Sequence, residues 1–511
     1  MKALWLKHRL TFLTALAAGF AAHAAAFFGN LSYHDDVYNL FDVGNTWYLG
    51  RFTLGVLGKL VRLVTGTSHF SLPWFHGTVT LLLLAVTACL LCELFDITDR
   101  APGAVCGAVM TTMPYTAAFF GFMFTAPYYA LAICLTVLGC TLAVRACAGG
   151  ENGRKTRAVF FCGIALLVIA AGIYQAVLPF AATVFLAVLV LRAADAATTR
   201  GRFFREGMLY ALALVCALAV YLVCMRLFLK MLHLQVSDYG GMDRMGSVSA
   251  GQYVSRVITA YRTFFLPEKV TSWNMYPATS VWLYALAVLG IAVCAVLCVR
   301  GRGRAGKADP VQILLPLLLM PLACNGAFVM NDEAFIHSLV MFPQAVLFFL
   351  LVALTIRVSG AAAYAPRIGC LLAALLVLFY VRYDNICYFS AGVLYENTKA
   401  YYDTMITRIR SADGYDDALP VVFIGERGIA DESLTLYPAF EAVITTPYAN
   451  SQEVRLNDYA WKAFLAYRSG YAPAWGDAAA FEGHAEVAAM PCYPDDGSVR
   501  VIDDTVVIKL Q

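Results

Sequence analysis

The chain has 511 residues, of which 60% are hydrophobic and only 14% are charged, and its mean hydropathy is +0.68. Soluble domains carry about 25% charged residues, so this composition excludes a wholly soluble protein and indicates that a bilayer solvates most of the chain. The formal net charge of +3 gives no indication of a nucleic-acid partner, and the 15 cysteines show no metal-ligand spacing.

Apolar runs of spanning length recur through the first three quarters of the sequence. About eleven are predicted to cross the membrane, at residues 10–31, 73–95, 103–123, 127–147, 158–174, 175–192, 207–230, 279–299, 311–330, 335–356 and 367–383. The first run ends in Ala-His-Ala-Ala-Ala, which resembles a signal-peptide cleavage site. Its length of about 20 residues favours an uncleaved span, although cleavage stays open.

Lysine and arginine alternate with these runs in a way that predicts their orientation. With a cytoplasmic N-terminus, the inner loops contain Arg100, Arg154, Lys155, Arg157, Arg192, Arg200, Arg202, Arg205, Arg300, Arg302, Arg304, Lys307, Arg357 and Arg367. The short outer connections near Thr125, Gln175 and Asp332 contain no lysine or arginine. This positive-inside pattern places residues 32–72, residues 231–278 and the C-terminal region on the outer side.

The two long outer loops differ in character. Residues 47–65 are apolar but contain Arg51, Lys59 and Arg62, which predicts a helix lying in the membrane interface. The loop at 231–278 mixes charged residues with tyrosine, phenylalanine and tryptophan, a composition typical of contact with the interface.

A change of composition after residue 383 predicts a second domain. Residues 1–383 form the transmembrane domain, and residues 384–511 read as a small extracytoplasmic α/β domain. Its predicted elements are a helix at 389–410, strands at 418–425 and 442–445, a helix at 454–467 and a hairpin at 499–510 centred on Asp503-Asp504. The predicted fold class is therefore mainly α, a polytopic helical membrane protein with a small α/β domain.

The first outer loop carries an acidic pair, Asp35-Asp36, preceded by His34. The pair follows the first span, where water can reach it, and like charges so close raise the pKa of one partner. A carboxylate there could accept the proton of an acceptor hydroxyl, as a general base does in inverting glycosyl transfer. The leaving group of such a reaction, a lipid phosphate, needs cations, and the candidates in the outer loops are Arg51, Arg244, Arg256 and Arg262.

Plainer interpretations of the acidic pair stay open. Asp35 and Asp36 could form a solvated turn or a helix N-cap, or could bind a divalent cation such as Mg²⁺ or Mn²⁺. The sequence does not separate a base from a metal ligand. No glycine-rich phosphate loop is present, so nothing indicates binding of a cytosolic nucleotide.

Other polar groups in or near the spans have structural interpretations. The cluster Asn331-Asp332-Glu333 with His337 is best explained as a polar turn between spans, with a contribution to the site as the alternative. His23 and His76 are predicted to be hydrogen-bonded structural histidines. Gln175 and Asn325 are predicted to join spans through interhelical hydrogen bonds.

The layout resembles the GtrII-type glucosyltransferases of bacteria, which are polytopic and similar in plan to the GT-C class. The resemblance is carried by Tyr33-His-Asp-Asp36 after an initial span, by Gly50-Arg51 before another apolar run, and by Val421-Val-Phe-Ile-Gly425 after a tyrosine-rich helix. It implies transfer of one sugar, commonly glucose, from a polyprenyl-phosphate donor to a surface polysaccharide such as O antigen, or to a lipid-linked acceptor. It also implies a location in the bacterial cytoplasmic membrane and a catalytic role for Asp35 or Asp36.

Two alternative functions stay open at this point. A polysaccharide flippase or transporter usually carries charged or broken helices near the middle of the membrane, and the predicted spans are largely free of charge. An O-antigen ligase or polymerase shares the environment and the large outer loops but uses a lipid-linked chain as donor. A non-enzymatic sensor explains the acidic loop poorly.

Overall fold

The structure is a computed structural model that describes residues 2–29, 46–66, 71–148, 153–196, 198–237, 249–267, 280–330, 338–425 and 461–510. The described residues fall into two compact units that divide between Asn385 and Ile386. We call the part up to Asn385 the helical unit and the part from Ile386 the C-terminal unit.

The helical unit is built from α-helices. Its helices are α1 (Lys2–Phe28), α2 (Phe52–Thr65), α3 (Pro73–Leu94), α4 (Arg100–Thr112), α5 (Pro114–Phe120), α6 (Ala126–Ala148), α7 (Arg154–Ala171), α8 (Val177–Ala194), α9 (Arg200–Met231), α10 (Ala250–Phe265), α11 (Ser280–Val299), α12 (Pro310–Cys324), α13 (Gly326–Met330) and α14 (Ala345–Arg357). The next helix, α15 (Ala365–Arg410), begins in this unit and ends in the C-terminal unit.

Seven of the described helices are long and apolar enough to cross a membrane, or eight if the bent pair α4 and α5 is one span. The predicted spans at 158–174, 311–330 and 335–356 coincide with α7, with α12 and α13, and with α14. Helix α7 begins with three cations within four residues, and α12 and α14 are shorter than a full span. The number of eleven spans therefore stays a prediction, whereas a multi-span helical architecture is confirmed.

Proline explains the break between α4 and α5. Met113 has an extended backbone, with a ψ of 143°, because the ring of Pro114 excludes the helical conformation from the preceding residue. Pro114 then opens α5, where its missing N–H costs nothing. The two helices meet at an angle of 41°.

The core of the helical unit lies around α8, which is apolar on every face and buried over most of its length. Helices α6, α9, α12 and α14 pack against it, and α1 packs on α3 and α4. The predicted interface helix at 47–65 corresponds to α2, and the second outer loop contains α10, a helix that the sequence analysis did not predict.

The C-terminal unit contains a three-stranded sheet of β1 (Val421–Ile424), β2 (Val499–Ile502) and β3 (Thr505–Lys509), in the order β1-β3-β2. β1 and β3 are parallel, and β2 and β3 are antiparallel. The other elements are the end of α15, α16 (Trp461–Arg468), a 3₁₀ turn (Ala478–Phe481) and α17 (Ala485–Ala489). Apolar side chains from the strands, the 3₁₀ turn and α17 form its core: Val422, Phe481, Val487, Met490, Ile502 and Val507.

The predicted terminal hairpin is confirmed. Asp503 and Asp504, with φ of 50° and 53°, form the two-residue turn between β2 and β3. Aspartate tolerates this left-handed conformation, which suits the twist of a tight hairpin. The predicted strand at 418–425 and the helix at 389–410 are also present, whereas residues 442–445 and 454–460 lie outside the described residues.

Candidate functional site

The Gly50-Arg51 motif forms a tight turn that leads into α2. The backbone N–H of Gly50 donates to Trp47 O at 3.0 Å, and that of Arg51 donates to Thr46 O at 3.0 Å. Gly50 has a φ of +69°, and a Cβ at this position would lie 2.6 Å from Met225 Sδ. Only glycine fits both the left-handed backbone and the crowded space.

The side chain of Arg51 lies against two tyrosines. Its Nη1 donates to Tyr129 Oη at 3.1 Å, and its guanidinium carbon lies 5.3 Å from the ring centre of Tyr174 and 5.8 Å from that of Tyr129. The two rings are 4.5 Å apart, so they form one aromatic surface beneath the cation. Arg51 is half-buried, and cation–π contacts of this kind hold a guanidinium in place.

Polar groups from two other segments hold the turn itself. Gln175 Nε2 donates to Leu49 O and, at 2.9 Å, to Tyr221 Oη. Tyr221 Oη in turn donates to Gly50 O at 3.4 Å. Gln175 lies between α7 and α8, and Tyr221 lies on α9. The predicted interhelical role of Gln175 is confirmed, and its effect is to fix the backbone that presents Arg51.

A second polar cluster lies between α1, α4 and α15. His23 Nε2 donates to Thr111 O at 2.8 Å and lies 3.9 Å from Asp384 Oδ2. Both side chains are fully buried. Neither carboxyl oxygen of Asp384 has a hydrogen-bond partner among the described residues. A buried carboxyl group without a donor is costly, and such groups inside a membrane domain mark functional sites by default.

The family to which this helical architecture belongs follows from comparison with known proteins. The family model described as "Glucosyl transferase GtrII" matches residues 24–356, which is more than half of the chain. The chain belongs to the GtrII glucosyl transferase family. This match agrees with the resemblance stated above, and the apolar helices indicate a multi-pass membrane protein.

Other comparisons add little to this assignment. No curated protein matches the GtrII chain significantly. Two crystal or complex structures of oligosaccharyltransferases from Archaeoglobus fulgidus are similar, one in complex with Zn and sulfate and one, AglB, in complex with an inhibitory peptide and a dolichol-phosphate. Their identities are 14% and 13%, their TM-scores 0.35 and 0.37, and they cover 87% and 88% of this chain. The chain spans 62% and 65% of their lengths. TM-scores below 0.5 do not establish a common fold, so the family match alone carries the assignment.

Only some of the predicted site residues of this GtrII protein lie among the described residues. His34, Asp35, Asp36 and Arg244 lie outside the described residues, as do Asn331, Asp332, Glu333 and His337. Arg51 occupies the aromatic surface described above. Arg256 and Arg262 lie on α10, which packs on α12 and α13. The described cations are thus divided between the turn before α2 and the α10 helix.

The sequence analysis missed Asp384 because it placed the end of the last span at residue 383. No proline or glycine lies between Gly369 and Gly392, so the helical pattern continues through Asp384, and that continuity was the available signal. Tyr129, Tyr174 and Tyr221 were also missed. They lie in separate apolar segments, and only the packing of α6, α7 and α9 brings them to Arg51.

Predicted structural roles for other polar residues are confirmed. His23 is hydrogen-bonded as stated, and His76 Nδ1 accepts from the backbone N–H of Leu72 at 3.3 Å. Asn325 Nδ2 donates to Ala260 O at 2.9 Å and so joins the end of α12 to α10. Within the described ranges, no three histidine, cysteine, aspartate or glutamate side chains are grouped as a metal site would require.

Proposed function

We propose that this protein transfers a single sugar, glucose, from a polyprenyl-phosphate donor to a surface polysaccharide or lipid-linked acceptor at the outer face of the bacterial cytoplasmic membrane. The observation that carries the proposal is the match to the glucosyl transferase GtrII family over residues 24–356. That stretch includes the acidic loop with Asp35 and Asp36 and the Gly50-Arg51 turn.

In the proposed reaction the acceptor hydroxyl oxygen attacks C1 of the donor sugar while the bond from C1 to the phosphate oxygen breaks. Asp35 or Asp36 takes the hydroxyl proton as general base, and the electron pair of the broken bond leaves with the lipid phosphate. Attack from the face opposite the leaving group inverts the configuration at C1. A divalent cation bound by the same carboxylates, Mg²⁺ or Mn²⁺, is the alternative role for this pair.

Arg51 is the described residue best suited to the leaving phosphate. Its guanidinium is fixed on Tyr129 and Tyr174, so binding an anion costs little side-chain entropy. It follows the acidic loop by fifteen residues, counted from Asp36 to Arg51. Arg256 and Arg262 on α10, together with His34 and Arg244, are the further proposed substrate-binding residues.

The test is a comparison of surface polysaccharide by mass from cells that carry the wild-type gene, no gene, or single variants. We expect one hexose per repeat to depend on the gene, and Asp35→Asn or Asp36→Asn to reduce its transfer by about 10²-fold or more, because general-base catalysis contributes about 10²–10⁴-fold. Asp42→Asn, which removes a charge from the same loop, serves as the matched control and should leave transfer unchanged. Full transfer by both variants at normal protein levels would remove the pair from the site.

A flippase is the second candidate to separate. Purified protein in liposomes that moved a lipid-linked sugar between leaflets, without forming a new glycosidic bond, would replace the transferase proposal. The family match favours bond formation.

A further inference from the structure

An apolar groove with a volume of about 390 Å³ lies between α11 and α12. Leu347 and Leu350 of α14 form its floor, and Phe264 and Phe265 of α10 close one end. The other end is lined by Arg300, directly after α11. The groove is thus apolar along its length and cationic at one mouth.

The groove exists because two consecutive helices diverge. Helix α11 packs mainly on α14, whereas α12 packs mainly on α8, so the two sit apart over the floor formed by α14. Small side chains widen the gap on the α11 side, where Ala292 is exposed and Ala295 is buried. On the α12 side the large side chain of Leu318 is exposed along the groove.

A folded turn at residues 300–307 begins at Arg300, which lines this end of the groove. The backbone N–H of Arg302 donates to Leu297 O at 2.9 Å, and that of Ala308 donates to Cys298 O at 3.0 Å. The N–H of Arg304 donates to Arg357 O at 2.7 Å, which fastens the turn to the end of α14. The turn therefore presents its side chains from a fixed backbone.

The cations of this turn have no acidic partner in the part of the chain that the structure describes. Arg300, Arg302, Arg304 and Lys307 are all exposed, and no carboxylate of the described residues lies within ion-pair distance of them. Other cations at the same end do have such partners, since Arg200 pairs with Asp309 and Arg357 pairs with Asp195. Arg300 at the mouth, followed in the same turn by three further exposed cations with no carboxylate partner among the described residues, is complementary to an anionic headgroup.

The length of the groove fits one leaflet. From Val288 to Arg300 the helix rises by about 18 Å, at about 1.5 Å per residue, and half of the hydrocarbon core of a bilayer is about 15 Å thick. We propose that this groove binds one acyl chain of an anionic glycerophospholipid, with the lipid phosphate on Arg300 and the neighbouring cations of the 300–307 turn.

The side of the membrane on which the 300–307 turn lies distinguishes a glycerophospholipid of the inner leaflet from a polyprenyl-phosphate donor. The charge pattern of the loops predicts that the 300–307 turn faces the cytoplasm, so the bound lipid belongs to the inner leaflet. A polyprenyl-phosphate donor would present its phosphate on the other side, near the acidic loop. The inference concerns a site separate from the proposed sugar-transfer site and does not depend on it.

The experiment is a binding measurement on the purified full-length protein. Native mass spectrometry in detergent would count bound phosphatidylglycerol, phosphatidylcholine and a polyprenyl phosphate, each added at the same concentration. We expect phosphatidylglycerol to bind best. Arg300→Gln should weaken its binding about fivefold, the factor expected for one cation at an anionic lipid surface. Ala292→Trp, which fills the groove from an exposed position, should abolish it.

Arg154→Gln is the matched control, because Arg154 is an exposed arginine at the start of α7, also on the predicted cytoplasmic side. It should leave binding unchanged. Equal binding of both phospholipids, or an equal loss in Arg154→Gln and Arg300→Gln, would show only general surface charge and overturn the proposal. Preferential binding of the polyprenyl phosphate, lost in Ala292→Trp, would also overturn it. If Ala292→Trp does not fold, Leu318→Trp fills the groove from the opposite wall.

Discussion

The two ends of the helical unit differ in whether their buried charged groups are hydrogen-bonded. At the end with the basic loops, Glu206 lies between Arg192 and Arg202, and Arg357 contacts both carboxylate oxygens of Asp195. At the other end, the buried carboxyl of Asp384 has no hydrogen-bond partner among the described residues. In the first arrangement each buried charge has an oppositely charged partner. In the second, a buried carboxyl group has no hydrogen-bond donor among the described residues.

This difference separates structural from functional polar groups. An ion pair between helices fixes their register, and each partner lowers the cost of burying the other. A buried carboxyl without a hydrogen-bond donor contributes no such stabilisation, and an ionisable group inside a membrane domain is by default a candidate for a functional role. Arg200 and Asp309 form a further ion pair at the basic end, and there too each charge stabilises the other. Arg200 holds the pKa of the Asp309 carboxyl below its usual value.

The largest expected effect is on stability at the basic end. Arg357 joins α14 to the end of α8 through Asp195, and its Nη1 also donates to Phe95 O at 3.3 Å and to Ala353 O at 3.2 Å. Arg357→Gln should lower the free energy of unfolding by about 1–3 kcal/mol, because it leaves the carbonyl of Phe95 and the half-exposed carboxylate of Asp195 without this donor. Thermal unfolding in detergent measures the loss, and transfer per folded molecule should be unchanged.

A surface ion pair provides the control for that change. Arg408 and Asp496 lie 2.7 Å apart in the C-terminal unit, and the Asp496 side chain is 99% exposed. Arg408→Gln should cost at most about 1 kcal/mol, the usual limit for an exposed pair. Similar losses for both variants would mean that burial does not distinguish the two pairs.

The periodicity of the sequence predicted most of the architecture. Each predicted span contains a described helix, α2 lies where a short charged apolar stretch interrupts the outer loop, and the hairpin turn falls on Asp503-Asp504. These features depend on local hydrophobicity and turn chemistry, which are written into consecutive residues. The positive-inside pattern, in contrast, remains a prediction of orientation.

The candidate site was less accessible to sequence reasoning. Arg51 was found from its motif, but the rings of Tyr129 and Tyr174 that hold it are 45 residues apart. Tyr221, which bonds to Gly50 O, lies a further 47 residues along the chain. Helix α10 was missed because its apolar residues are interrupted by Arg256 and Arg262, and its docking depends on Asn325 of a distant span. Contacts between distant segments leave no local pattern.

The next effect tests the buried carboxyl of Asp384. Asp384→Leu should leave the unfolding temperature unchanged or higher, because an apolar group of similar size replaces a buried carboxyl that has no hydrogen bond among the described residues. The same change should reduce sugar transfer by about tenfold or more, equivalent to about 1.4 kcal/mol in the barrier. Asp384→Asn should reduce transfer as well, since the amide cannot exchange a proton.

The adjacent residue is the matched control for Asp384. Asn385 Nδ2 donates to Ala21 O at 2.8 Å and to Ala22 O at 3.3 Å, so it fastens α15 to α1. Asn385→Leu should lower the unfolding temperature and leave transfer per folded molecule intact, the reverse of the Asp384 variants. If Asp384→Leu instead destabilised the protein and kept full transfer, the carboxyl would be structural and the contrast between the two ends would disappear.

The smallest effect concerns the backbone that presents Arg51. Gly50 and Gly66 have nearly equal φ angles, +69° and +72°, so an alanine at either position has the same left-handed strain of about 1–2 kcal/mol. A Cβ at Gly50 would also lie 2.6 Å from Met225 Sδ and 2.8 Å from Tyr221 Oη, whereas at Gly66 nothing lies within 4 Å. Gly50→Ala should therefore cost about 1 kcal/mol more than Gly66→Ala in thermal unfolding, because a crowded site must also shift. Since the shift displaces the turn before Arg51, only Gly50→Ala should weaken sugar transfer. Equal transfer by the two variants would mean that the position of Arg51 does not limit the reaction.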